Sequence, residues 1–196
     1  MNKKWQQVFD KCTDIDYLKN YILDYDGSDS LLTSADQTLM KRFIFPKKHH
    51  LDLCRLARHY GAKFSLCKYS KFIGGQYHRH NNLIAIYTDK NKLVSTHKIC
   101  RVFPHELAHH IQYSIMQEEL GSHCEILFET LSQKLLYEQV ADRLAYFLYK
   151  KHFKHIWDIP HQAFRIYHNK NLIKKLAKQC KVMFLEIDID EYKDVQ

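Results

Sequence analysis

Apolar positions recur along this chain at helical spacing in its first third, at strand spacing in a short middle stretch, and at helical spacing again to residue 152. Over 3–25 the apolar set is Trp5, Val8, Phe9 and Cys12, then Tyr17, Leu18, Tyr21, Ile22 and Tyr25. Asp14 or Asp16 is placed to cap a second helix after a break. Asp26-Gly27-Ser28 reads as a turn, and 31–45 as a helix that stops before Pro46. Residues 48–60 form an amphipathic pattern of Leu51, Leu53, Cys54, Leu56 and Ala57, with Gly61 where a capping glycine belongs. Three strands are predicted next, over 62–67, 72–80 and 83–88. Gly74-Gly75 marks a bulge or tight bend, and Asn81-Asn82 a hairpin turn. Leu83-Ile84-Ala85-Ile86-Tyr87 is the strongest strand signal.

A helix then runs from Leu93 or Ser95 to about Met116, with Pro104 inside it. Proline removes a backbone donor and crowds the preceding turn. Either the helix is kinked there, or Pro104 is a first-turn residue. Residues 117–122 are a polar connection containing Gly121. From 123 to 152 the apolar members Ile126, Leu127, Leu131, Leu135, Val140, Leu144, Phe147 and Leu148 give one long helix or two. The stretch 153–185 is basic and aromatic, broken at Pro160, with a helix near 172–180. The expected fold class is α+β, mostly helical, with a three- or four-stranded sheet. The expected organisation is a single domain over 1–196. It has a helical N-terminal part (1–45), a core (46–150), a basic helical part (151–185) and an acidic tail (186–196) whose end is expected to be disordered.

Composition narrows the class. Hydrophobic residues make up 45% of the 196 and aromatics 13%, which suits a globular core. No run approaches the roughly 18 apolar residues of a membrane span, and the first residues lead into no signal-peptide core. A cytoplasmic location without membrane attachment is expected. The six cysteines are scattered, with no Cys-x-x-Cys pair, so they read as core thiols rather than a zinc ribbon. The net charge of +8 is concentrated: residues 143–181 hold ten Lys/Arg against Asp158 alone. Such a block is either a solvated helical face or a surface for an anionic partner.

Chemistry is concentrated at His105-Glu106-Leu107-Ala108-His109. A helix advances about 100° per residue, so His109 lies roughly 40° from His105, one turn on. Both imidazoles leave one face and can share a tetrahedral cation. Glu106 stands at the edge of that face, within reach of a water and too far round to be an easy ligand. Two nitrogen ligands, one general base and an open position are what a zinc hydrolase requires. His110 points elsewhere on the helix. A third ligand is to be found among Glu118, Glu119, His123, Glu125, Glu129 and Glu138. Glu138 is the best of them, because Asp142 shares its helix face four residues on. One carboxylate can bind metal while the other orients a ligating His.

His105-Glu106-x-x-His109 followed by Glu138-x-x-x-Asp142 resembles the gluzincin metallopeptidases. Glu138-x-x-Ala141-Asp142-x-x-Ala145 is similar to the compact ImmA/IrrE and SprT-like proteins. The resemblance spans mainly residues 83–148. It implies a zincin-like packing of the sheet on the active-site helix. It implies one zinc ion held by His105, His109 and Glu138, with Glu106 as general base and Asp142 orienting a ligand His. It also implies that Leu83, Ile84, Ala85, Ile86 and Tyr87 form the sheet edge on which a peptide or protein substrate lies. The gap from His109 to Glu138 is 29 residues, wider than the shortest in this class, which keeps Glu129 as a rival ligand. Position 133, four beyond it, is Gln rather than an acid. Candidate oxyanion donors are Tyr77, Tyr87, Tyr146, His78, His80, His123 and His152, and the sequence ranks none above the rest.

The expected function is therefore a zinc-dependent metallopeptidase. One alternative is a nucleic-acid-associated protein, including a protease acting on DNA-bound proteins. It rests on the aromatics Tyr149, Phe153, Trp157, Phe164 and Tyr167 among the cations of 143–181. Another is a regulatory protein that holds zinc without turnover. Substrate specificity and oligomeric state leave no trace in the sequence.

Overall fold

The fold is known from a computed structural model, which describes residues 3–25, 50–68, 74–88, 94–121, 128 and 130–154. The expected turn at 26–28 and the helices at 31–45 and 172–180 lie outside these residues, as do Glu129, His123, the tail and the basic block beyond 154.

Two short helices open the chain, α1 (Lys3–Thr13) and α2 (Ile15–Lys19). Asp14 separates them, and its carboxylate accepts from the backbone N–H groups of Asp16 and Tyr17 at 2.9 and 3.2 Å. Asp14, not Asp16, is thus the cap. The helical pattern does not continue to residue 25. Tyr21 and Ile22 bond back to Leu18 and Lys19, three residues earlier, so the helix tightens and ends.

Helix α3 (His50–His59) buries Leu53, Leu56 and Ala57, while Leu51 is left exposed. Gly61 ends it at φ +79°. Its N–H reaches Arg58 O, and the N–H of Ala62 reaches Ala57 O, both at 2.9 Å. This paired closure needs a left-handed residue, which glycine adopts without a steric cost.

The chain then enters a three-stranded sheet of β1 (Lys63–Cys67), β2 (Gly75–His78) and β3 (Leu83–Tyr87). The strand order is β1-β3-β2, with β3 parallel to β1 and antiparallel to β2. A 3-10 turn over Arg79–Asn81 and a left-handed Asn82 (φ 50°) join β2 to β3, so the connection is longer than a two-residue hairpin. Residues 72 and 73, expected in the second strand, are not among those described.

Helices α4 (Thr96–Leu120) and α5 (Leu131–His152) complete the fold. The Ser95 hydroxyl caps α4, accepting from Lys98 N at 3.1 Å. A reciprocal capping box of Thr130 and Gln133 starts α5; residues 123–127 and 129, the first part of the helical pattern expected over 123–152, lie outside the described residues. Helix α4 lies between the sheet, which meets it through β2 and β3, and the helices α1 and α5. Fifteen of its residues are buried.

That burial explains why α4 runs through Pro104 instead of starting there. An interior proline costs about 3 kcal/mol. Ile99, Phe103 and Leu107, within a turn or so of it, are fully buried and each contributes about 1.5–3 kcal/mol. Phe103 alone meets Phe64 of β1 and Phe153 beyond α5, ring centroids 5.4 and 5.7 Å away. His105 therefore sits in the third turn of a packed helix, not in a loose first turn. Cys12 and Cys100 are buried thiols outside any disulfide, as expected of core cysteines. Among the described residues no helix is long and apolar enough to cross a membrane.

Candidate metal centre

Helix geometry brings His105 and His109 onto the face of α4 that meets α5, and α5 presents Glu138 and Asp142 to them. His105 Nε2 and His109 Nε2 are 3.1 Å apart. Glu138 Oε2 lies 2.8 Å from His109 Nε2 and 3.5 Å from His105 Nε2. Tetrahedral ligands at about 2.0–2.1 Å from zinc stand roughly 3.3 Å from one another, so these separations match one face of such a site. Glu138 Oε2 is buried and faces both imidazoles. Three lone-pair donors converge on one point, and a cation satisfies all three. This buried group can hold a metal ion.

Each of these side chains has a support. Asp142 Oδ1 stands 2.9 Å from His105 Nδ1, which turns Nε2 toward the shared point. His109 Nδ1 stands 3.1 Å from Gln112 Oε1, and the ring stacks on Tyr137 at 5.3 Å. Lys134 Nζ contacts Glu138 Oε1 at 2.6 Å and lies over the Phe128 ring. The lysine therefore occupies one carboxylate oxygen and leaves the other to face the imidazoles.

Electrostatics follow from the same contacts. Burial opposes a charge on His105, but Asp142 and Glu138 beside it outweigh burial and hold its pKa well above the usual range. Burial also opposes ionisation of Glu138, and here His109, His105 and Lys134 prevail, keeping it an anion. Glu106 differs. Its burial dominates and raises its pKa, partly offset by the two imidazoles and by the backbone N–H of Tyr77 that faces it.

That N–H identifies the strand next to the site. Tyr87 N donates to Gly74 O at 3.0 Å, and antiparallel bonding alternates along a strand. The backbone groups of Gly75 and Tyr77 are thus directed away from β3, toward the side of β2 that no described strand covers. The expectation that Leu83, Ile84, Ala85, Ile86 and Tyr87 form the open edge is corrected here: β3 is central and paired on both sides. The physical sign was present in the sequence. Ile84, Ala85 and Ile86 are consecutive and all fully buried, the pattern of a covered central strand rather than of an edge.

The structure brings His105, His109, Glu138 and Asp142 together and buries Glu106 beside them. The rival Glu129 lies outside the described residues. His110 turns away from the group, with Nε2 at 2.6 Å from Tyr60 O and Nδ1 at 3.0 Å from the Tyr77 hydroxyl. Of the candidate oxyanion donors, Tyr77 is engaged with His110, and His152 with the Tyr60 hydroxyl at 2.8 Å. Sequence reasoning missed Gln112, Lys134 and the role of Gly75. The first two stand three residues after His109 and four before Glu138, spacings that place them on the same faces.

No known protein family, characterised protein or solved structure matches this chain.

Proposed function

We propose that this chain is a zinc metallopeptidase of gluzincin type, with a zincin-like arrangement of sheet and helix, cutting a peptide laid extended along the open side of β2. The observation that carries the reading is the convergence of His105 Nε2, His109 Nε2 and Glu138 Oε2 beside a buried Glu106. Two imidazoles and one carboxylate oxygen suit zinc, and three protein ligands leave a coordination position open for chemistry. Bound there, zinc would polarise the scissile carbonyl and lower the pKa of the attacking water.

The chain's own residues do the rest. Glu106 is buried, which raises its proton affinity toward that of a useful base near neutral pH. It takes the proton of the attacking water and returns it to the leaving amine. The Tyr77 N–H holds the carboxylate against β2. A peptide laid along β2 would pair through main-chain bonds that set its direction, and side chains would set its preference.

The test combines metal content with hydrolysis of an unstructured protein substrate. Wild type is expected to hold one zinc and to cleave. Glu106→Gln is expected to keep zinc and lose about 10²- to 10⁴-fold in rate. His109→Ala is expected to lose both. Stoichiometric zinc in a variant lacking both His105 and His109 overturns the site. Zinc-loaded wild type that cleaves no faster than Glu106→Gln leaves a non-catalytic zinc protein instead.

A further inference from the structure

We infer that Gln112 is the positioning residue for His109, and that through it helix α1 forms part of the metal centre. The inference rests on the metal reading above and extends it to a residue and a helix that the histidine motif does not include.

Gln112 is fully buried. Its amide nitrogen lies 2.9 Å from Cys12 O at the end of α1 and 3.2 Å from Tyr137 O on α5. Both partners are carbonyl oxygens, which only accept. The NH2 end of the amide must therefore face them, and this fixes the orientation of the whole group. Oε1 is left facing His109 Nδ1 at 3.1 Å. An amide oxygen only accepts as well, so His109 must carry its proton on Nδ1. The Nε2 lone pair then points at Glu138 Oε2 and His105 Nε2, where the cation would sit. Two backbone carbonyls on two different helices thus dictate which nitrogen of a ligand is free.

The same amide ties α1 to the site. The Cys12 thiol also donates to the Gln112 backbone oxygen at 3.3 Å. With the Gln112 amide on the Cys12 carbonyl, the two residues are doubly linked across 100 positions of sequence. The Lys11 ammonium pairs with Glu119 on the same helix one turn or two further on. A displacement of α1 removes one of the two carbonyls that fix the Gln112 amide and loosens its orientation. The partner that sets the His109 tautomer is then held by the Tyr137 carbonyl alone.

Three measurements test this. Nitrogen NMR of the zinc-loaded wild type is expected to show His109 protonated at Nδ1, with a slowly exchanging N–H. Gln112→Met removes the acceptor and both donors. It is expected to weaken zinc about 10- to 100-fold in competition with a chelator, and to change the visible spectrum of the cobalt-substituted protein. Gln112→Glu keeps an acceptor for His109 and loses the two donated bonds. It is expected to unfold at lower denaturant while its metal affinity stays close to wild type. Metal affinity that falls in step with stability in both variants overturns the assignment, as does an exchange-labile His109 N–H. Should Gln112→Met fail to fold, the wild-type NMR and Gln112→Glu still decide. Absence of zinc binding by wild type would sink the metal reading itself, whereas zinc that depends on His105, His109 and Glu138 but not on Gln112 would sink only this one.

Discussion

Gly75 lets β2 lie close enough to α4 for Glu106 to meet a backbone N–H, and replacing it with alanine measures how tight that approach is. A Cβ at position 75 would stand 2.3 Å from Val102 Cγ1, 3.0 Å from Ala85 O and 3.2 Å from Glu106 Cγ. Carbon atoms in good contact are about 3.5–4.0 Å apart, so strand and helix must separate by more than an ångström or Val102 must move. Overpacking of this kind costs about 1–3 kcal/mol, and 2 kcal/mol lowers the folded-to-unfolded ratio about 30-fold. Gly74 is the control. A Cβ there meets Val102 Cγ2 at 3.4 Å and Lys98 Cε at 3.7 Å, ordinary contacts, and Gly74→Ala is expected to stay within about 0.5 kcal/mol of wild type. The decisive variant is Gly75→Ala combined with Val102→Ala. Removing the valine methyls clears the worst contact, so the pair is expected to be more stable than the sum of the single effects by about 1 kcal/mol or more. Rescue stays partial because the Ala85 carbonyl is backbone and remains. Urea unfolding of the four variants reads the coupling, and zinc content with hydrolysis reads the site. Hydrolysis is expected to fall further than zinc binding in Gly75→Ala, since the ligands sit on α4 and α5 and only Glu106 faces β2. Strict additivity of the two substitutions would refute the close approach of strand and helix.

Thr130→Ala removes the hydroxyl that accepts Gln133 N at 3.1 Å and is expected to cost about 1 kcal/mol in urea unfolding. Because it loosens the first turn of α5, Lys134 is expected to hold Glu138 less firmly, read as faster zinc loss to a chelator. Full burial pushes the Cys100 thiol up, and Cys12 is equally buried. Peptide mapping after brief alkylation of the native protein is expected to find Cys54 and Cys67 modified before either of them, and equal labelling of all four would contradict the packing of α1 on α4.

The sequence made the metal-binding group legible because that group is written almost wholly in helix geometry. His105 and His109 share a face by spacing alone, as do Glu138 and Asp142, and burial of α4 against α5 brings the two pairs together. What spacing cannot express is which strand ends up outermost. Edge or centre is a property of pairing between segments, and β3 acquires its second neighbour only when β1 joins it in parallel from twenty residues upstream. The path of the helix at Pro104 is undecided in the sequence for a related reason. The local rule states a cost near 3 kcal/mol, while the compensating burial of Ile99, Phe103 and Leu107 belongs to the sheet and to α1 and α5. Gln112 is the sharpest case. Its distance from His109 in sequence allowed the contact, but the orientation of its amide depends on the carbonyls of Cys12 and Tyr137, which tertiary structure alone brings to it. The candidate ligands are thus readable from local sequence, and the amide orientation that faces one of them is not. It follows that α1 cannot be treated as an appendage to a self-sufficient motif. A change that shifts α1 is expected to disturb the candidate metal group through Gln112 as well as the core that Val8, Phe9 and Cys12 help to build.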